Sequence, residues 1–368
     1  METFTSGSVE NSYREVHYGY KGHNVNIYGT YENTWGGHHF KATAGGQYED
    51  YRSTSLDVKQ TGLSSDNIDS FTVATGPITL SQSISAYRTL GFFGRVNYDY
   101  DGKYIFEASA RGDGSSRFEP DHRWGFFPSA SAAWRISEES FFEPVRDVMN
   151  NLKLRLSVGS LGNQQVANYA YIEQISTDNQ MSYTFDGLEK GYYANVSDPL
   201  SSGLTWETVT TYDVGLDVGL LNGRLNLTGD YYIRDTKDML TTSLTLPDVF
   251  GAKTPKANCA NLRTKGWEIT LGWQDEFQLA GSAFSYNVSA SIGDYITKIT
   301  KYNNPDRLIS DHYVGKTLGE IWGYHVDGLF KTDREAAEYQ ATIDDKAVNN
   351  RVYQCKGPAG NRLRAGDV

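Results

Sequence analysis

The feature that most constrains this chain is a two-residue hydrophobic period kept up over lengths that ordinary globular strands do not reach. In "LGFFGRVNYDYD", Leu90, Phe92, Val96, Tyr98 and Tyr100 share one face and Arg95, Asn97 and Asp99 the other, because successive strand side chains point to opposite sides. After "YDGK", which reads as a tight hairpin turn, "YIFEASARGD" sets Tyr104, Phe106, Ala108 and Ala110 against Glu107, Ser109, Arg111 and Asp113. "NLKLRLSVGS" sets Leu152, Leu154, Leu156 and Val158 against Lys153, Arg155 and Ser157. Around a second hairpin signal, "LLNGRL", Tyr212, Val214, Leu216, Val218 and Leu220 oppose Asp213 and Asp217. Beyond it Leu225, Leu227, Tyr231 and Ile233 oppose Arg224, Asn226, Thr228, Asp230 and Arg234. "GWEITLGWQ" and "FSYNVSASIGDY" repeat the split, with Trp267, Ile269, Leu271 and Trp273, then Phe284, Tyr286, Val288, Ala290 and Ile292. With weaker strands near 24–54 and 70–88, the pattern predicts roughly ten to twelve antiparallel strands.

A soluble sandwich and a membrane barrel both alternate, so strand length and strand ends must separate them. Sandwich strands average about five to six residues. Here several hairpin arms alternate for about ten or more, each apolar stripe ends in Tyr, Trp or Phe, and short turns exchange with long Gly/Ser/Asn/Asp-rich loops, as outer-membrane barrels require. The composition fits: of 368 residues 13% are aromatic, with 26 Tyr, and Gly stands at 37 against 9 Pro. No run of eighteen apolar residues suggests a transmembrane helix, which leaves a strand-built membrane protein open. The net charge of −11 argues against a nucleic-acid partner, since phosphate binding needs a basic surface. The N-terminal stretch lacks the charged and apolar regions of a signal peptide.

Motifs that suggest chemistry dissolve into the alternation. "RGD" at 111–113 places Arg111 and Asp113 on the polar face of a strand entering a turn at Gly112 and Gly114. "NYDYDGKYIFEA" approaches a calcium loop, but its twelfth position is Ala108, with Glu107 one place early and so on the opposite face. "VGKTLGE" has Ser310 where a phosphate loop needs its first glycine. Adjacent His38 and His39 point to opposite faces and cannot share one metal. Cys259 and Cys355 match neither a zinc site nor a disulfide framework. No catalytic constellation and no cofactor signature stands out. "TDREAAEYQA" carries capping-box spacing from Thr332 to Glu335 and predicts a short helix.

Five stretches, "LGFFGRVNYDYDGKYIFEASARGDGSSRFEPDHRWGFFPSASAAWRISEESFF", "NLKLRLSVGSLGNQ", "LTWETVTTYDVGLDVGLLNGRLNLTGDYYIRDTKDML", "KGWEITLGW" and "HYVGKTLGEIWGYHVDGLFKTDREA", closely resemble the barrel region of SusC/RagA-type TonB-dependent transporters of Bacteroidetes outer membranes. The resemblance runs in order over residues 85–368. It implies an all-β fold, a partial transmembrane β-barrel with long extracellular loops, in an outer-membrane importer of oligosaccharides or peptides. It also implies partners: a SusD-like surface lipoprotein as lid, the TonB complex, and outer-membrane lipid. The plug and TonB box that precede the barrel in the family are not seen, so residues 1–368 are expected to be part of one barrel domain, truncated at both ends.

The expected site residues follow. Lumen-facing candidates are Arg95, Asn97, Glu107, Arg111, Lys153, Arg155, Asp213, Asp217, Arg224, Asp230 and Arg234, the plain alternative being charges solvated on a water-filled face without a specific ligand. Candidate membrane-girdle anchors are Trp124, Phe126, Phe127, Trp134, Trp267 and Trp273, with ordinary packing as the alternative. Trp322, Tyr324 and His325 are candidates for lid or substrate contact. Two other function classes stay open at this point: a soluble or surface glycan-binding β-sandwich, and a glycan-cleaving enzyme using an unidentified carboxylate pair.

Overall fold

The computed structural model describes residues 11–64, 70–173, 175–185, 189–196, 200, 203–242, 249, 254–309, 311–323, 325 and 328–342. The chain divides into two units, residues 1–318 and 319–368. Tyr324 and Cys355 lie outside the described residues.

The first unit is built from β1 (Ser12–Trp35), β2 (His38–Thr61), β3 (Ile78–Tyr100), β4 (Tyr104–Ser115), β5 (Trp124–Arg135), β6 (Met149–Asn163), β7 (Ile175–Phe185), β8 (Glu189–Val196), β9 (Glu207–Leu220), β10 (Leu225–Thr242), β11 (Lys256–Leu279) and β12 (Ser282–Lys301). Ten of these form one antiparallel sheet in the order β1-β2-β3-β4-β5-β6-β9-β10-β11-β12, and β7 and β8 pair with each other. β1 and β12 are its two edges. Each strand pairs with its chain neighbour except across the β7–β8 excursion, where β6 pairs with β9.

Apart from 136–148, the connections at one end are short turns and those at the other are loops of eight residues or more. At one end the chain turns at 36–37, 101–103, 136–148, 221–224 and 280–281; at the other it leaves the sheet for 62–77, 116–123, 164–206 and 243–255. Two of the short turns show why they are tight. Asp101 and Gly102 have φ of 52° and 66°, and Ala280 and Gly281 have 50° and 83°, which is the doubly left-handed geometry of the two-residue hairpin turn that matches strand twist. Gly accepts that geometry freely and Ala does not.

Register gives each row of the sheet a single face. One row runs Tyr98, Phe106, Ala132, Leu156, Val214, Tyr231 and Trp267 across β3, β4, β5, β6, β9, β10 and β11. The adjacent row on the opposite face runs Asn97, Glu107, Ser131, Ser157 and Asp213. The apolar face is open: Ile27 is 74% exposed, Phe126 69% and Val288 62%. A sandwich would bury such a face under a second sheet, yet among the described residues the other sheet is only the two-stranded β7–β8 hairpin. The sandwich alternative therefore fails, as does its strand length, since β1, β2 and β11 each have 24 residues.

On β5 the apolar face is bounded by Trp134 near the short turns, half-buried, and Trp124 near the long loops, exposed, both on the same side as their partners Tyr104 and Gly114. That separation is about 33 Å along a strand at about 3.3 Å per residue. Tilted by about 40°, it spans about 25 Å, the height of the apolar band of an outer-membrane barrel. Above the band, β1, β2 and β3 continue for several turns of alternation as a three-stranded extension that pairs Ser12 with Thr61 and Gln60 with Ile78 at its tip.

Two expectations shift in detail. β3 is one strand from Ile78 to Tyr100, not a weak strand followed by a strong one, because alternation runs unbroken through "SISAYRTL". β4 continues through Gly112 and Gly114 to Ser115, so the turn begins only at 116. In the second unit, α1 (Asp333–Gln340) starts where the spacing predicts: Thr332 Oγ1 accepts from the Glu335 N–H at 3.2 Å, and Glu335 Oε2 accepts from the Lys331 N–H at 2.8 Å.

Candidate functional site

The polar face is a wall of cross-strand charge clusters. Arg155 of β6 donates from Nε and Nη2 to both oxygens of Asp217 on β9 (2.9 and 3.1 Å), and its Nη2 also reaches Asp230 of β10 at 2.8 Å. Gly215 makes the cluster fit, since a Cβ there would lie 2.3 Å from Asp230 Oδ1 and 2.6 Å from Arg155 Nη2. Asp213 lies on the same face, opposite Ser157 and Tyr232. Asn97 Nδ2 donates to Glu107 Oε2 at 2.6 Å, with Arg95 Nε 3.5 Å from the other oxygen. Arg111 Nε donates to Asp113 and its Nη2 to Gln47 Oε1 at 2.9 Å. Gly91 leaves the room for this pair, because its Cβ would meet Asp113 Oδ1 at 2.2 Å. Lys153 stands opposite Arg135 and Asp217, and the Arg234 guanidinium lies 5.4 Å from the Tyr232 ring.

Ten of the eleven expected polar-face residues share that wall. Arg224 does not: it sits in the β9–β10 turn and pairs with Asp275 at 3.1 Å, because the hairpin needs residues 221–224 for its reversal. The pairs are half-exposed, Arg155 at 30%, so each adds little to stability. What they do is hold long side chains in fixed positions along a wet surface.

The apolar face carries its aromatics at the borders. Near the short turns, Tyr100 and Tyr104 stack at 6.4 Å and Tyr104 and Trp134 at 6.4 Å, while Trp273 donates to Tyr286 Oη at 3.0 Å. Near the long loops, Phe92 stacks on Trp124 at 6.4 Å, and Phe126 is exposed beside them. Trp267, opposite Tyr231, sits between these borders. Phe127, expected with this group, faces the other way: being one residue from Phe126 it points to the polar side, where it is 7% exposed. A furrow of about 750 Å³ on the apolar face is lined by Val96, Phe106, Leu156, Val214 and Tyr231, a surface suited to acyl chains rather than to a polar ligand.

At the long-loop end the polar face closes into a small core. Phe127 packs with Phe118, Leu204 and Trp206, all under 10% exposed, the Phe118–Trp206 and Phe127–Trp206 centroids both lying 5.4 Å apart. Trp206 Nε1 donates to the Arg123 carbonyl at 2.8 Å, and Arg123 Nε to the Phe118 carbonyl at 3.1 Å. Within "RGDGSSRFEPDHRWG", residues 111–115 thus end strand β4, 124–125 begin β5, and only 116–123 form a loop, pinned over the wall. Neighbouring loop 164–172 docks on β3, with Asn168 Nδ2 donating to Ser85 Oγ at 2.7 Å and Tyr169 Oη accepting from the Ala86 N–H at 3.0 Å. Three of the four buried side-chain polar atoms without a hydrogen-bond partner among the described residues cluster here: Arg117 Nε, Gln164 Oε1 and Asn168 Oδ1.

Sequence reasoning missed this core and a row of tyrosines beside it, Tyr18, Tyr20, Tyr51 and Tyr87, all on the polar face of the β1–β2–β3 extension. The signal for the row was the alternation of "HYGYKG" and "EDYRS", which is polar enough to read as a weak strand. Trp322, in the second unit, is 60% exposed and donates to Glu320 Oε1 at 2.9 Å; His325 is exposed.

Known proteins match this arrangement. Residues 2–352 fit the family described as TonB dependent receptor-like, beta-barrel. The TonB-dependent receptor SusC of Bacteroides thetaiotaomicron is 32% identical over 298 residues, 78% of this chain and 28% of that protein. TonB-dependent receptor P3 of Formosa agariphila is 27% identical over 319 residues, 83% of this chain and 31% of that protein. Among solved structures, the RagAB peptide importer in its closed-closed state superposes with a TM-score of 0.70 at 25% identity, covering 79% of this chain and 31% of that one. The chain thus spans about three tenths of the length of the relatives it matches. A ten-stranded two-faced wall, short turns at one end, long loops at the other and a family match over nearly its whole length place it: the chain belongs to the TonB-dependent receptor-like β-barrel family.

Proposed function

We propose that residues 1–368 are barrel wall and extracellular loops of an active importer in the outer membrane of a Bacteroidetes-type cell, taking up oligosaccharides or peptides. The observation that carries this reading is the pairing of an apolar band about 25 Å high, bordered by Trp124 and Trp134, with a charged opposite face on the same strands. Lipid covers the first face and water fills the second. Trp124, Phe126, Trp134 and Trp273 act as girdle anchors, and Arg95, Asn97, Glu107, Arg111, Lys153, Arg155, Asp213, Asp217, Asp230 and Arg234 line the lumen.

In this reading the long-loop end is extracellular. A SusD-like surface lipoprotein closes over it; Trp322, Tyr324 and His325, in the second unit, are candidates for lid or substrate contact. Substrate trapped there passes along the polar wall once force through the TonB complex displaces a plug. The chain performs no covalent chemistry in this scheme.

The test is uptake by cells whose only copy is the complete gene, fed fluorescent oligosaccharides and peptides, with and without functional TonB. Saturable accumulation that disappears without TonB is expected. Accumulation independent of TonB, or none with any substrate in the panel, would contradict the proposal.

A further inference from the structure

The tyrosine row on the β1–β2–β3 extension has no structural task that its surroundings explain. Tyr18 and Tyr20 on β1 lie parallel, 9° apart with centroids 6.5 Å apart; Tyr20 and Tyr51 are 6.4 Å apart and Tyr51 and Tyr87 5.3 Å apart. The row thus crosses three strands diagonally on the polar face and ends under the Arg117 guanidinium, 4.2 Å from the Tyr87 ring. Tyr18 and Tyr20 are 66% and 65% exposed. The band begins at the Val25–Tyr48–Leu90 row; Tyr51 and Tyr87 lie three residues beyond it, Tyr20 five and Tyr18 seven, so the rings stand about 10–23 Å further along the strands, outside the lipid and facing the mouth.

The surroundings select the ligand. Beside the rings the face carries small hydroxyls: Ser53 and Ser55 stand opposite Tyr20 and Tyr18, and Ser85 and Ser83 continue those rows onto β3, Ser85 already accepting from Asn168 Nδ2 of the docked loop. The nearby charges include one ion pair, and also Glu49 and Arg117, which are hydrogen-bonded but have no ion-pair partner among the described residues. Glu49 accepts from Tyr87 Oη at 2.8 Å, Arg117 lies over Tyr87 and donates to the Gln164 carbonyl at 3.2 Å, and Arg14 pairs with Asp57. A surface of ring faces flanked by hydroxyls, with its charges confined to the Tyr87 end and beyond Tyr18, suits a ligand with alternating C–H faces and hydroxyl groups.

We infer that Tyr18, Tyr20, Tyr51 and Tyr87 form a stacking platform for a neutral oligosaccharide at the mouth, with Arg117 closing its inner end. This deepens the importer reading and rests on it, narrowing the substrate from oligosaccharides or peptides to uncharged glycans.

The test uses the complete transporter, purified in detergent, titrated calorimetrically with maltohexaose, cellohexaose, laminarihexaose and mannohexaose, and separately with a mixture of neutral peptides. At least one glycan should bind. Tyr20→Ala and Tyr51→Ala should each raise its Kd about tenfold or more, and Tyr51→Phe, which keeps the ring, should stay within about threefold. Tyr18→Ala, at the most exposed ring, provides a variant whose folding is not in question. Binding of none of the four glycans, unchanged Kd in the alanine variants, or peptide binding that these variants abolish would overturn the inference. TonB-dependent uptake in the same cells separates the two claims: its persistence in Tyr20→Ala alongside absent glycan binding would sink the platform and leave the importer, whereas its absence in the wild type would sink the importer itself.

Discussion

Arginine at position 130 should destabilise the protein far more than arginine at position 131, and the contrast can be worked from the register. Ala130 lies on the apolar face opposite Ala108 and Val158, and it is exposed. Along β5 it is about 10 Å in height from the Trp134 border and about 15 Å from the Trp124 border, at about 3.3 Å per residue and a tilt of about 40°. That puts it within about 3 Å of the middle of the band, where a cation on the lipid face costs about 2–4 kcal/mol. Ser131 faces the other way, opposite Glu107 and Ser157. An arginine there meets water and a carboxylate, so Ser131→Arg should change stability by less than about 1 kcal/mol. The assay is denaturant unfolding of the complete protein in lipid vesicles, followed by tryptophan fluorescence. Equal effects at the two positions, or a larger effect at 131, would refute the assignment of faces.

Phe118→Ala should empty the best-packed site of the loop core and cost about 3–5 kcal/mol of local stability, read as faster proteolytic cleavage between residues 116 and 123 with the strands still protected. Ala280→Gly should stabilise by about 0.5–1 kcal/mol, since Ala280 holds a φ of 50° that glycine adopts freely; a loss of stability in vesicle unfolding would count against that turn. The Tyr104 hydroxyl and Trp134 Nε1–H both donate to Glu139, in the connection after β5, and hold its carboxyl below the usual range. A carboxyl depressed in the folded state stabilises above its unfolded value and loses that contribution as pH falls through the lower folded value. Acid unfolding of the wild type should therefore include a step below about pH 4.5 that Glu139→Gln lacks, and identical acid profiles would contradict the assignment.

The strands were legible because each side chain declares its face: "FEASA" or "LKLRLSV" alternates so cleanly that Phe106 and Glu107 could be sent to opposite sides without coordinates. The same rule, applied strictly, would have separated Phe127 from Phe126, since neighbours on a strand cannot share a girdle. Arg224 was misplaced because alternation was carried one residue too far into a turn. The loop core was harder. Phe118 and Trp206 are far apart in sequence, lie in polar stretches without period, and meet only because β4, β5 and β9 end at the same side of the sheet. The tyrosine row has the same origin, as Tyr20, Tyr51 and Tyr87 become neighbours through the register of three strands, which no single segment reveals.

The central claim is that adjacent residues on one strand face lipid and water, and β4 offers the most direct measurement. In the complete protein, with Cys259 and Cys355 replaced by serine, single cysteines at Phe106 and Glu107 would each carry an environment-sensitive fluorophore in vesicles containing nitroxide-labelled lipid. The account predicts that the label at 106 is quenched by the lipid nitroxide and shielded from an aqueous quencher, while the label at 107 shows the reverse. Aqueous quenching of both labels would contradict it, because the sheet would then have no face in the membrane.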